Sequence, residues 1–275
     1  MMSSVHVTEL WIYPIKGCGG VSVSELELTP RGPKWDRHWM IIDENGRFTS
    51  QRQHSQMCLL ALEFNSAGDF TLSIPGQGDF VLGASSQGYS DARSGARGDR
   101  PVISAQVWDC EVQVVETDTK ISQALSLFLG TPVRLVEMAP GHSRLIKEKY
   151  GSGEIQFADS LQLLVISEES LAELNRRLEN PVPMNRFRPN VVVKGVDEPH
   201  GEDSWQQVKV GDVTFKAPKL CVRCVVTTVD QATGEKSPEP LATLAKYRRG
   251  EKGILFGQHL VPEGLGGIHV GDEVL

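Results

Sequence analysis

Several features are scarce or absent in this chain of 275 residues. It has no run of about 18 apolar residues and no basic start followed by an apolar core, so neither a membrane span nor a secretory signal peptide is predicted. Cysteine is limited to five scattered residues, which is typical of free thiols in a reducing compartment. The net charge of −7 argues against broad nucleic-acid binding. We therefore expect a cytoplasmic protein in which any anionic ligand meets a local cluster of basic residues.

What the first half does contain is a series of short strands. Residues 21–28 and 70–74 alternate apolar and polar side chains, and 39–42 form a continuous apolar run. Glycine-containing turns separate these segments, which favours a barrel or a sandwich. The segment 83–100 is rich in Gly, Ser and Arg and has no apolar periodicity, so it is predicted to be a mobile loop.

The rest of the chain mixes strands with helices. Helices are predicted after a cap at residue 117 or 118 and before Gly130, after a cap at Ser167, and between Pro240 and Gly250. Strands are predicted at 133–136, 161–166, 190–194, 207–210, 213–216 and 225–229, with strand-turn-strand at 268–275. The predicted fold class is mixed but mainly β (α+β), with domains at 1–137 and 138–275 and a polar lid or loop after the boundary.

One segment, residues 219–230, carries the only Cys-x-x-Cys pair, Cys221 and Cys224. A structural zinc site needs four ligands, and no second pair is present. A thioredoxin-type dithiol opens a helix, whereas the residues that follow this pair favour a strand. A single cysteine that ligates a metal held mainly by an anionic organic cofactor fits better. Simple core packing of both thiols stays open.

Two basic residues of the first half are candidate ligand contacts. Lys16 lies among a proline and three glycines, where backbone amides can approach an anion closely, although an ordinary turn between strands explains the same pattern. Arg37 lies among aromatic residues, and it either pairs with Asp36 or reaches for an anion.

A further basic motif precedes the predicted strand at 190–194. Its alternation is expected to place Arg186 and Arg188 on one face with Asn190, where guanidinium groups can bind phosphate and an amide can bind a heterocycle. The alternative is a structural ion pair with Glu179 or Asp197.

Taken together, these motifs resemble the MOSC-domain family, in particular its amidoxime-reducing branch. The matching segments occur in family order over nearly the whole chain: Tyr13-Pro-Ile-Lys16, Asp36-Arg-His-Trp39, Phe187-Arg-Pro-Asn190, Asp203-Ser-Trp205, Arg223-Cys-Val-Val-Thr-Thr-Val-Asp230, Glu239-Pro-Leu241, Phe256-Gly-Gln258 and Val270-Gly-Asp272.

The resemblance implies an N-terminal MOSC β-barrel domain followed by a MOSC β-barrel domain with flanking helices, and a molybdenum cofactor (molybdenum–molybdopterin) between them. The molybdenum ligand maps to Cys224, while Cys221 matches a cysteine that is not a ligand. Cofactor contacts map to Lys16, Gly17, Arg37, Asp159, Ser160, Arg188, Asn190 and Arg223. His259 lies beside cofactor-lining positions and is a candidate proton donor. The chain departs from some relatives at Gly17 and Leu161, where those relatives have serine.

The implied function is an oxidoreductase that removes oxygen from N-hydroxylated compounds such as amidoximes, hydroxylamines or N-hydroxylated bases. Because no ferredoxin domain follows within these 275 residues, electrons are expected from a separate donor protein, such as a ferredoxin or a flavoprotein reductase. The alternative is a non-catalytic module that carries the cofactor, or carries sulfur as a persulfide on Cys224.

Overall fold

A computed structural model of the chain describes residues 4–83 and 100–275. Most of the predicted loop at 83–100 lies outside these described residues. The helices within them are α1 Thr119–Leu129, α2 Glu168–Arg177 and α3 Leu241–Tyr247. None of these helices is long and apolar enough to cross a bilayer.

Strands dominate the described part of the chain. The first half contains β1 His6–Ile12, β2 Val21–Val23, β3 Glu25–Thr29, β4 Gly32–Pro33, β5 Trp39–Asp43, β6 Ala61–Phe64, β7 Phe70–Ile74, β8 Gly78–Leu82, β9 Val102–Val107 and β10 Cys110–Glu116. The second half contains β11 Val133–Met138, β12 Arg144–Leu145, β13 Glu154–Ile155, β14 Leu163–Ser167, β15 Val191–Lys194, β16 Gln207–Val210, β17 Val213–Val222, β18 Arg249–Gly250, β19 Gly253–Pro262 and β20 Gly266–His269. The predicted, mainly β fold class is confirmed.

Helix ends follow the predicted caps. The Asp118 carboxylate accepts a hydrogen bond from the backbone N–H of Lys120 (2.7 Å), and Gly130 ends α1 in the left-handed conformation. The Ser167 hydroxyl accepts from the N–H of Ser170 at the start of α2 (3.1 Å). The third helix ends at Tyr247, earlier than the predicted stop at Gly250.

The largest sheet curls into a half-barrel, and its strand order is β16-β17-β19-β14-β15-β1-β2, with β18 paired to β19. Strands β1 and β2 come from the first half of the chain, yet β1 pairs antiparallel with β15, for example Leu10 with Val191. Strand β3 likewise pairs with β20. Backbone hydrogen bonds therefore cross residue 137, and the division into domains at that point stays a prediction.

One predicted strand is wrong. Residues Val225–Thr228 form a 3-10 helix rather than part of a strand at 225–229. The Thr227 hydroxyl donates to the carbonyl of Cys224 (3.0 Å), and the Thr228 hydroxyl donates to that of Val225 (2.7 Å). These short-range bonds favour a turn over the extended backbone that β-branched residues otherwise prefer. Strand β17 therefore ends just before Arg223, and the chain turns at Cys224.

Candidate functional site

A cavity of about 670 Å³ opens between loops of the first half and strands β17 and β19 of the large sheet. Among the described residues, eight lysines and arginines line it: Lys16, Arg37, Arg52, Lys149, Arg188, Lys219, Arg223 and Lys252. Within residues 4–83 and 100–275, two carboxylates line the cavity as well, Asp159 and Glu251. The cavity is strongly basic although the whole chain carries a net charge of −7, so it fits an anionic ligand.

Cys224 lies on this wall, at the turn that follows strand β17. The Arg52 guanidinium lies 3.3 Å from the Cys224 sulfur and stacks over the Trp108 ring, 4.7 Å from its centroid. A thiolate is the form of cysteine that ligates metals or attacks electrophiles. The site therefore places a partly exposed cysteine beside the Arg52 guanidinium, which Trp108 keeps in position.

Two cavity arginines stack against one buried aromatic ring. The guanidinium carbons of Arg37 and Arg188 lie 4.6 and 4.1 Å from the centroid of Tyr13. Both arginines have positive φ angles, 46° and 56°, a region that non-glycine residues seldom adopt. Burial raises the pKa of the Tyr13 phenol to about 12, so the ring stays neutral between the two cations. Such strained backbone is typical of functional sites.

The Arg37 side chain is also anchored from behind. It donates to the Asp36 carboxylate (2.5 Å) and to the side-chain oxygen of Asn190 (3.2 Å). The Asn190 amide in turn donates to the carbonyl of Trp11 (3.1 Å) and to Asp36 (3.1 Å). Arg37 therefore pairs with Asp36, which was one of the two interpretations of the sequence. It also lines the basic cavity, where the other interpretation expected an anion to bind. Most hydrogen bonds of the Asn190 side chain therefore go to residues of the first half of the chain, and they connect the two halves.

Lys16 is almost completely buried, with 5% of its surface exposed, at the edge of the cavity. Its ammonium donates to the carbonyl of Phe157 (2.9 Å) and forms an ion pair with Asp159, which also accepts from the Trp108 indole (3.0 Å). Burial lowers the pKa of Lys16, and the Asp159 charge partly offsets that effect. Burial acts to raise the pKa of Asp159, but Lys16 and Trp108 hold it well below its usual range.

Cys221 has an unexpected environment. Its sulfur accepts a hydrogen bond from Arg223 (3.1 Å), which also donates to the carbonyl of Phe187 (2.6 Å). Burial acts to raise the pKa of the Cys221 thiol, but the charges and hydrogen bonds of Arg223 and His259 lower it to about 6. Cys221 therefore lines the cavity in surroundings that favour its thiolate form, unlike those of a cysteine in an apolar core.

The structure brings all of the predicted site residues to one cavity wall: Lys16, Gly17, Arg37, Asp159, Ser160, Arg188, Asn190, Arg223, Cys224 and His259. Their individual roles stay predictions. The alternation proposed for 186–190 is wrong, because residues Met184–Arg186 form a 3-10 turn. Arg186 does not line the cavity with Arg188, and it pairs with Asp230 (2.9 Å), not with Glu179 or Asp197.

Several cavity residues were not found from the sequence. Gln51 and Arg52 line the wall, Gln51 donates to the carbonyl of Gly17 (2.8 Å), and Trp108 lies against Arg52. Arg52 and Trp108 come from loops without a distinctive local motif. Their proximity to Cys224 depends on long-range packing, because Arg52 and Cys224 are 172 residues apart in sequence.

Comparisons with known proteins show similarity over nearly the whole chain. The MOSC N-terminal beta barrel domain model matches residues 4–132, and the MOSC domain model matches residues 152–275. Human mitochondrial amidoxime-reducing component 1 is 36% identical over 98% of this chain and 82% of its own length. Rice molybdenum cofactor sulfurase is 30% identical over 93% of this chain but only 32% of its own length. The YUAD protein of Bacillus subtilis matches 99% of this chain and 94% of its own, with 11% identity and a TM-score of 0.42.

The two halves of the chain thus match the two domain models in sequence order, and the basic cavity with its partly exposed cysteine is lined by residues of both halves. Near-full-length similarity to the amidoxime-reducing components accompanies that match. The chain belongs to the MOSC-domain family.

Proposed function

We propose that this protein is a molybdenum-cofactor-dependent oxidoreductase that reduces N-hydroxylated compounds, with Cys224 as the protein ligand of the metal. The observation that carries the proposal is the Cys224 sulfur, which faces a basic cavity beside Arg52 (3.3 Å). Relatives that are similar over almost the full chain are named amidoxime-reducing components, which supports a reductase.

The donor set fits a metal that arrives within a cofactor. Within residues 4–83 and 100–275, no group of three or more His, Cys, Asp or Glu side chains could hold a metal ion. A metal at Cys224 therefore needs most of its ligands from elsewhere, as in a metal bound by a pterin dithiolene. Molybdenum bound in this way supplies oxygen-atom removal from an N–O bond, and the protein supplies binding, orientation and electrostatics.

The charge of the cavity fits the anionic parts of such a cofactor. Arg37, Arg188 and Arg223 converge on it from both halves of the chain. The Nε of Arg223 is buried without a hydrogen-bond partner in the described structure, so this guanidinium has an unused donor. Guanidinium groups bind phosphate through paired donors, which supports a role for these three residues in cofactor binding.

The reduction of an amidoxime to an amidine consumes two electrons and two protons and releases water. Electrons come from a separate redox protein in this proposal. His259 lines the cavity and hydrogen-bonds through its ring to the carbonyl of Leu163 (3.2 Å), which holds the imidazole in place as a proton source.

Metal analysis of protein made in a host that synthesises the cofactor tests the proposal. We expect stoichiometric molybdenum in the native chain, its loss in Cys224→Ala and its retention in the matched control Cys221→Ser. The native protein is expected to reduce benzamidoxime with reduced methyl viologen as the electron donor, and Cys224→Ala is expected to be inactive. Retention of molybdenum in Cys224→Ala would contradict the assigned ligand.

A sulfur-carrier function is the second candidate, because a molybdenum cofactor sulfurase is among the relatives and Cys224 is partly exposed. The same preparations distinguish the two functions. A persulfide carrier contains cyanide-releasable sulfur that disappears in Cys224→Ala, and it contains neither molybdenum nor pterin.

A further inference from the structure

The mouth of the cavity has its own group of residues, here named the lysine rim: Lys149, Tyr150, Lys219 and Lys252. Lys149 and Lys252 are exposed, and Tyr150 and Lys219 are partly buried, whereas the Lys16 side chain is 6% exposed. The rim therefore lies toward solvent, and the cations deeper in the cavity form a separate set.

Tyr150 organises the rim. The ammonium groups of Lys149 and Lys219 lie 4.9 and 4.7 Å from the centroid of its ring, and the ring packs against the small apolar cluster that includes Ile146 and Val261. Slight burial acts to raise the pKa of the Tyr150 phenol, but a hydrogen bond with Lys149 and the charges of Lys219 and Lys252 lower it. The positive potential at this phenol is the combined field of the three lysines.

Few carboxylates offset this charge. Glu251 lies on the same part of the cavity wall, and Asp109 pairs with the neighbouring Lys147 (3.7 Å). The Lys219 ammonium donates to the Ser160 hydroxyl, which is neutral. The three lysines of the rim outnumber this one cavity carboxylate, Glu251. The mouth of the cavity is therefore positive, although the overall charge of the chain is negative.

The rim also lies in line with the proposed metal site. Lys219, Cys221 and Cys224 all line the cavity, and Lys219 precedes Cys224 by five residues on strand β17 and the turn that follows it. Five residues of extended chain span at most about 16 Å. The rim is therefore within about 16 Å of Cys224 in the same cavity, close enough for a substrate with its N–O group at Cys224 to extend toward Lys219 and Tyr150.

We propose that the lysine rim selects N-hydroxylated substrates that carry a carboxylate or a phosphate at the end remote from the N–O bond. This inference rests on the proposed reductase function. Tyr150 supplies a flat surface for the body of the substrate, and the three ammonium groups attract its anionic end. The deeper arginines are left for the cofactor.

Two matched substrate pairs test the selection. Benzamidoxime is compared with 4-carboxybenzamidoxime, and N-hydroxycytidine with its 5′-monophosphate, in each case with reduced methyl viologen as the electron donor. We expect a higher kcat/KM for the anionic member of at least one pair. Single Lys149→Gln, Lys219→Gln and Lys252→Gln variants are expected to lower that preference roughly two- to fivefold each, the range for exposed charge pairs. The preference of the native protein is also expected to fall as ionic strength rises.

The controls separate the rim from other roles. The ratio of two kcat/KM values from one preparation does not depend on its cofactor content, and a small artificial donor removes any effect of these lysines on docking of a donor protein. Lys120→Gln, on the exposed surface of α1, is expected to leave the ratio unchanged.

Equal kcat/KM values within both pairs would overturn the rim proposal and leave the reductase standing. No reduction of any of the four compounds by molybdenum-loaded protein would overturn the reductase as well. Loss of molybdenum from the Lys149 and Lys252 variants would also overturn the rim proposal, because it would assign these lysines to the cofactor.

Discussion

At the scale of single residues, the two thiols of the Cys-x-x-Cys pair have different surroundings. Cys224 is partly exposed and lies beside Arg52, whereas Cys221 is buried and accepts a hydrogen bond from Arg223. The resemblance to the family predicted Cys224, and not Cys221, as the metal ligand. The neighbouring residues in the sequence alone did not distinguish the roles of the two cysteines. The charge that surrounds Cys221 comes partly from His259, 38 positions later on a neighbouring strand, so no local pattern predicts it.

The ionisation of Cys221 can be measured directly. In a Cys224→Ala background, we expect ultraviolet thiolate absorbance to titrate with a midpoint near pH 6, because Arg223 and His259 lower the pKa of this thiol from 9.0 to about 6. The signal should vanish when Cys221→Ser is added and persist when Cys58→Ser is added instead. The thiolate stabilises the fold fully above pH 9 and loses that contribution as the pH falls through 6. A midpoint near 9 would show that the guanidinium does not stabilise the thiolate.

At the scale of elements, predictions succeeded where local signals agree with each other. Helices α1 and α2 have an apolar stripe and a capping side chain, and both form as expected. Predictions failed at Val225–Thr228 and around Arg186, where threonine hydroxyls and a tight 3-10 turn override the extended pattern. These two errors lie beside the cavity, where the backbone departs from regular structure to present side chains.

Ser167 gives an element-scale test. It caps α2 and also donates to the fully buried Glu202 carboxylate (2.8 Å), which accepts from the Ser170 hydroxyl as well (2.7 Å). Ser167→Ala removes the cap and one donor to a buried charge, so we expect the free energy of unfolding to fall by about 1–3 kcal/mol. Asp118→Ala removes an exposed cap from α1 and should cost about 1 kcal/mol. Urea denaturation measures both, and equal losses would show that the Glu202 contact adds nothing.

At the scale of the whole molecule, the cavity depends on the pairing of β1 with β15. That pairing places the loop with Lys16 beside the segment with Arg188, which donates to the carbonyl of Cys18, and the hydrogen bonds of Asn190 to Trp11 and Asp36 hold the two segments together. Sequence patterns predicted the strands and the basic motifs. They did not predict which strands pair across 180 residues, because register across a sheet is set by packing rather than by local propensity.

The shared sheet predicts mutual dependence of the two halves. A fragment of residues 138–275 lacks β1 and β2, so strand β15 loses its antiparallel partner and exposes backbone groups beside Val191 and Val193. We expect this fragment to unfold without a cooperative transition or to aggregate, and co-expression with residues 1–137 is expected to restore solubility. Cooperative thermal unfolding of the fragment alone would instead support the domain division at residue 137.

The same sheet constrains how the chain is made. Backbone atoms of Val7 exchange hydrogen bonds with Asp272 (2.9 Å) and Gly271 (2.8 Å), and Val274 donates to Val5 (2.8 Å). Translation at about 5–20 residues per second leaves roughly 10–50 s between the synthesis of these two ends. During that time β2 and then β15 become available to pair with β1, whereas residues 271–274 are still missing. The contacts of Val5 and Val7 with residues 271–274 are therefore among the last in the described structure to form during synthesis.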